Sequence, residues 1–191
     1  FPNAAYVSDI IYTSDSGTND ILWNLTMKNG DTISLSTRLT IEKQAAVTYF
    51  SEDVPMETTE ELNALLASIE EEVSSETPVY LHLPAVTYDG DIVFGNHVWG
   101  IYGSSDGDDV TTFTGTVSLR GLNGNYAEMS GIQFKGNSGI GVNAYCLTLL
   151  SKCSFDGWDT AAIANNGAWV NAMDCTFTNN KIALKFNSSM A

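Results

Sequence analysis

From residue 111 onward, apolar and polar positions alternate with period two, and the alternation returns every 21 or 22 residues. Phe113, Phe134, Phe155 and Phe177 each sit third in one short pattern. It runs apolar, polar, Phe, polar and then Gly or Asn, with Thr111 standing at the apolar place of the first copy. Val142, Ile163 and Leu184 form a second series at 21-residue steps. A fixed period of this length marks stacked units that share one core. Period two makes each unit's segments strands with one face inward. Gly136, Gly157 and Asn179 fall where the chain must turn, and these residues tolerate left-handed backbone. The expectation is a mainly β chain, a short parallel β-helix of about five coils over residues 78–189.

Charge tests the register. Residues one coil apart stack at about 4.8 Å. Lys152 then faces Asp174, Lys135 faces Asp156, and Asp159 faces Lys181, each pair opposite in sign. Cys153 and Cys175 share one inward position on successive coils. Side chains that point the same way suit a reduced ladder better than the near-perpendicular disulfide dihedral.

Upstream, Thr58 and Glu61 have the spacing of a capping box. Leu62, Leu65, Leu66, Ile69 and Val73 follow on one helical face, predicting a helix over about 58–73. Pro78 ends it, and Val79-Tyr80-Leu81-His82-Leu83 reads as a buried strand. A bare solenoid end exposes hydrogen-bonding edges, and an apolar-faced helix covers them. Residues 1–55 differ in texture. Lys28-Asn29-Gly30-Asp31 joins two alternating segments, the strongest short hairpin signal, with Ile10-Ile11-Tyr12 and Ala46–Phe50 as further strand candidates. A lone hairpin is marginal, so this region is expected to pack on the solenoid or its helix.

The capped helix followed by Pro78-Val79-Tyr80-Leu81-His82-Leu83-Pro84-Ala85-Val86-Thr87-Tyr88 resembles the entry of pectate lyase-like right-handed β-helix proteins. In them such a helix plugs the solenoid before a strand and a Pro-Ala-Gly-Thr-Tyr-like turn; Val86 stands here for the usual Gly. The resemblance implies a right-handed solenoid and a connection to polysaccharides. The family's hydrolase motifs, Asn-Thr-Asp, Asp-Asp, Gly-His-Gly and Arg-Ile-Lys, are missing from the coils. Hydrolysis needs paired carboxylates. The coil acids Asp156, Asp159 and Asp174 are instead each matched to a lysine.

The formal net charge of −15 is lopsided, with all but Glu128, Asp156, Asp159 and Asp174 of the 23 acids before residue 111. An acidic surface repels phosphate backbones, so nucleic acid and anionic lipid are not expected partners. No stretch is long and apolar enough to span a membrane. The three cysteines form no zinc pattern. Asp89-Gly90-Asp91 and Asp106-Gly107-Asp108-Asp109 resemble fragments of calcium loops without the full ligand spacing, so solvated turns are expected there, and calcium is the one cofactor left open. His82 and His97 read as structural residues. Beginning at Phe1, the chain reads as a mature or excised segment.

One candidate ligand site emerges. Trp158 follows Gly157 at a turn where adjacent coils place Asn137 and Asn180. A ring flanked by amides can stack on a sugar while the amides take its hydroxyls. The leading expectation is therefore a non-catalytic secreted or cell-surface module that binds a polysaccharide or cell-surface glycan or presents a surface. The alternatives are a sensor or stalk ectodomain of a membrane-anchored protein, and a fragment of a polysaccharide lyase or hydrolase. The last coil is expected to be either open or covered by a partner chain, a following domain or the N-terminal segment.

Overall fold

The structure is a computed structural model that describes residues 4–7, 17–41, 46–120 and 126–187. The chain divides into two compact units, Phe1–Gln44 and Ala45–Ala191. In the first, strands Ala4–Val7, Gly17–Met27 and Thr32–Ile41 form an antiparallel sheet in that order. The Asn29-Gly30 turn closes as expected, with Gly30 at φ +91° and its N–H donating to the Met27 carbonyl. Ile10-Ile11-Tyr12 lies outside the described residues.

The second unit is a parallel β-solenoid. Five coils each contribute one strand to each of three parallel sheets. The first sheet runs from Val47–Phe50 through Val79–His82, Val98–Tyr102, Tyr126–Ser130 and Leu147–Ser151 to Val170–Met173. The second runs from Thr87–Tyr88 to Thr176–Thr178, and the third from Ile92–Phe94 to Ile182–Asn187. Val47–Phe50, grouped with the N-terminal region on sequence, belongs here: it pairs in parallel with Val79–His82. The reason is that the edge of the first coil's strand needs a hydrogen-bonding partner, and Val47–Phe50 supplies it just before the helix.

One column of aromatic rings runs through the core. Tyr88, Phe113, Phe134, Phe155 and Phe177 stack with successive centroid separations of 5.1, 5.8, 4.5 and 5.1 Å. Tyr88 extends the phenylalanine series one rung down, where the hairpin Ser105–Val110 lengthens the coil and hides the period. Beside it runs the inward column Val86, Thr111, Ile132, Cys153 and Cys175, which follows from the in-step pairing of the second-sheet strands. Val86, which replaces glycine in the resemblance, thus starts a packed column. Thr111 tolerates full burial because its Oγ1 donates to the Pro84 carbonyl at 2.6 Å and accepts from the Ser104 N–H at 2.8 Å.

The series Val142, Ile163, Leu184 does not hold. Val142 pairs with Ala162, which pairs with Leu184, while Ile163 pairs with Asn143 and Lys185. The corner between Phe155 and Ala162 is one residue shorter than the corresponding corner of the coil below. A one-residue slip moves a strand's whole apolar set to the other face, so a strict count misassigns Ile163. Of the three charge pairs, Asp159 and Lys181 close an ion pair at 2.5 Å. Lys135 and Asp156 are register partners, yet Asp156 accepts from Asn179 Nδ2 at 2.7 Å. Lys152 and Asp174 hold equivalent left-handed corners, at φ 53° and 52°.

The helix Thr59–Glu72 closes the N-terminal side. Both halves of its capping box form: Thr58 Oγ1 accepts from the Glu61 N–H, and Glu61 Oε2 accepts from the Thr58 N–H. Leu62, Leu65, Leu66 and Ile69 are buried in the same core as Val79, Leu81 and Tyr88. Tyr88 adds a tie, its hydroxyl donating to the Met56 carbonyl. At the other end the last coil is only half-covered: Ala172, Cys175, Phe177 and Leu184 are partly buried.

A prediction follows from the column. Phe155, at 1% exposure, is stacked on both faces, whereas Phe177 is half-buried with one ring partner. In urea unfolding, Phe155→Ala is expected to cost about 3–5 kcal/mol and Phe177→Ala less than half of that.

Candidate functional site

Trp158 is not a ligand platform. Its side chain is 3% exposed, and its indole N–H donates to the Phe134 carbonyl at 3.2 Å. The ring folds back over the preceding coil, into space that exists because residue 136 is glycine. A Cβ on Gly136 would lie 2.4 Å from the indole Cδ2. Asn180 is equally committed: Oδ1 accepts from the Trp158 N–H at 2.9 Å and Nδ2 donates to the Phe155 carbonyl at 3.0 Å. Asn137 is exposed and accepts from the Ser138 hydroxyl. The first two residues are a corner brace. A buried Trp with a polar N–H needs a protein partner, and here it has one.

The exposed aromatic side chains lie elsewhere, mostly on the outer face of the first sheet. Phe50, His82 and Tyr102 stack along successive strands at 4.6 and 5.0 Å. Tyr80, Gly100 and Glu128 make the adjacent outward row. Gly100 is needed there, since a Cβ would meet the Tyr80 ring at 2.6 Å and the Tyr102 ring at 2.8 Å. Trp99 is the extra residue of a bulge, because Val98 pairs with Val79 and Gly100 with Tyr80. Glu128 accepts from the Tyr102 hydroxyl at 3.4 Å. Partial burial, reinforced by that carboxylate, pushes the Tyr102 phenol up to about 12. The same two causes, in the same order, raise Tyr126.

A third outward row, Tyr126, Leu147 and Trp169, leads to the last coil. Trp169 is 73% exposed. It borders a cleft of about 740 Å³ lined also by Val170, Asn171, Phe186 and Asn187. Phe186 is 62% exposed and is the last rung of the column Phe94, Leu119, Ala144, Ala164. Asn187 donates to Asn165 Oδ1, and Asn165 to Asn143 Oδ1, an amide ladder that fixes the cleft wall. The cleft therefore has the composition sought at Trp158, an exposed indole with flanking amides, one coil further on. At the opening of the fifth-coil strand Trp169-Val170-Asn171-Ala172 the expected place of Trp169 is wall or core. The structure instead turns it outward, and the parity opposite to the inward Val170 is the signal that could have shown it.

Asp89 Oδ1 accepts from Thr114 Oγ1 at 2.7 Å, and Asp91 Oδ1 from the Thr116 N–H at 2.8 Å, so both carboxylates brace their turn. Asp106 and Asp109 face each other across a two-residue hairpin pairing. His97 is 5% exposed, with Nε2 3.6 Å from Glu70 of the capping helix. No family model matches the chain, and neither a curated protein nor a solved structure matches it in comparison.

The tyrosine cluster gives a measurable pH effect. Tyr102 has a folded pKa above its unfolded value near 10. Its neutral form is therefore favoured by folding, and that contribution is complete below pH 10 and lost as pH rises toward 12. Ultraviolet difference titration should show a late phenol, and Glu128→Gln should move it toward 10. An unchanged titration would mean that Glu128 does not act on Tyr102.

Proposed function

We infer that this chain is a non-catalytic, extracytoplasmic glycan-binding module, with its ligand lying on the outer face of the first sheet toward Trp169. The observation that carries the reading is Trp169, 73% exposed beside a cleft that also presents Asn171 and Asn187. Burying such a ring only against water is unfavourable, whereas a sugar's C–H face covers it and its hydroxyls meet the amides. The rows Phe50–His82–Tyr102 and Tyr126–Leu147–Trp169 extend this surface, which suits a chain of sugars more than a single one.

Charge narrows the ligand. Nearly all of the acids lie before residue 111, and the four acids after it are balanced by five basic residues, so the coils lack the dense positive charge that a polyuronate needs and neutral glycans are favoured. A binding role is preferred over catalysis because Glu128 is the one carboxylate in the outward row Tyr80, Gly100, Glu128, Leu149, Asn171. Glycoside hydrolysis in its common form uses two.

Glycan-array screening followed by calorimetry tests the reading. Wild-type chain is expected to retain a neutral polysaccharide, and Trp169→Ala to weaken it at least tenfold with the melting temperature unchanged. Binding that survives Trp169→Ala, or that is confined to acidic glycans, would contradict the reading.

A further inference from the structure

We propose that Cys153 and Cys175 form a two-coordinate site for a soft monovalent d10 cation, Cu(I) or Ag(I), at the last described coil. The site does not depend on the glycan reading. Both cysteines are free thiols, and the flanking strands pair Ser151 with Met173 and Ser154 with Thr176, so the two thiols sit one rung apart in lockstep. Their side chains also adopt the same orientation. Cys153 Sγ donates to the Ser151 and Met129 carbonyls at 3.3 and 3.5 Å. Cys175 Sγ donates to Met173 and Leu150 at 3.3 and 3.4 Å. Met173 is the register partner of Ser151, and Leu150 that of Met129. The two thiols are translated copies of each other along the solenoid axis.

That geometry opposes a disulfide and suits a bridging metal. Parallel side chains hold their Cβ atoms about one strand spacing apart, about 4.7–4.9 Å, against about 3.8 Å in a relaxed disulfide. Two metal–thiolate bonds of about 2.3 Å laid end to end span about 4.6 Å. A linear S–M–S bridge therefore fits between the rungs with no change of rotamer. Among the described residues no cluster of three or more His, Cys, Asp or Glu side chains is present. Zinc wants four ligands, whereas thiolates select Cu(I) by softness, and monovalent d10 ions accept two collinear donors.

The reaction balances as M⁺ plus two thiols giving a bis-thiolate complex of charge −1 and two protons, with no oxidant or reductant required. Cys175 is partly exposed and offers the entry. Cys146, buried and paired with Thr148, lies outside the site.

The test is a titration of the reduced full chain with Cu(I) under anaerobic conditions, against a chromogenic Cu(I) chelator. One ion per chain is expected, with affinity lowered at least 100-fold by Cys153→Ser and by Cys175→Ser, and unchanged by Cys146→Ser. Circular dichroism checks the fold, and Cys175→Ser at the partly exposed rung keeps the test valid should Cys153→Ser unfold. The proposal is overturned if Cys175→Ser binds as tightly as wild type, if the ions bound equal the number of thiols, or if Cys146→Ser weakens binding as much as the others.

Discussion

Parallel hydrogen bonding between successive coils is the constraint from which the rest of this structure follows. Once each strand's N–H and C=O groups are bound to the rung beneath, a side chain can only lie over the residue one coil earlier. Identity at one position is then repeated through the stack. The aromatic column Tyr88–Phe177, the amide ladder Asn143–Asn165–Asn187 and the thiol pair Cys153–Cys175 are three outcomes of that rule. Each aromatic contact contributes about 0.5–1.5 kcal/mol beyond its area burial. The column therefore adds specificity of register to the stability it supplies.

A stack needs its ends managed, because an unpaired rung exposes both backbone and core. The helix Thr59–Glu72 and the strand Val47–Phe50 do this on the N-terminal side, and Tyr88 ties the aromatic column to Met56. The last described coil has no equivalent cover among the described residues, and its inward residues are half-exposed. The proposed chemistry gathers there for that reason. The Trp169–Phe186 cleft and the reachable thiol of Cys175 both arise where a column runs out of neighbours. The outer face of the first sheet adds half-exposed Tyr80 and Tyr102 and, past its edge, the exposed Trp169.

Much of the fold was legible from the chain. The phenylalanine spacing, the capping box and the Asn-Gly turn each report a local requirement that no distant contact overrides. A strict count places Ile163 inward because corner length varies by a residue and period alone carries no information on corners. Val47–Phe50 was assigned to the wrong unit because its parallel partner lies beyond the helix in sequence. Tyr88 is invisible to the 21-residue count because the Ser105–Val110 excursion breaks the period below Phe113. Trp158 shows the limit most clearly. A tryptophan at a turn reads as exposed, and only the missing Cβ of Gly136, one coil back, lets it fold inward. That dependence is between coils, so the local pattern around Trp158 could not reveal it.

Ring-to-ring nuclear Overhauser effects in solution, measured on chain labelled only at phenylalanine, test the stacking rule most directly. Cross-peaks are expected between Phe113 and Phe134, Phe134 and Phe155, and Phe155 and Phe177, and not between Phe113 and Phe155 or Phe134 and Phe177. Contacts that skip a member, or rings with no contact at all, would contradict a wound column and everything inferred from it.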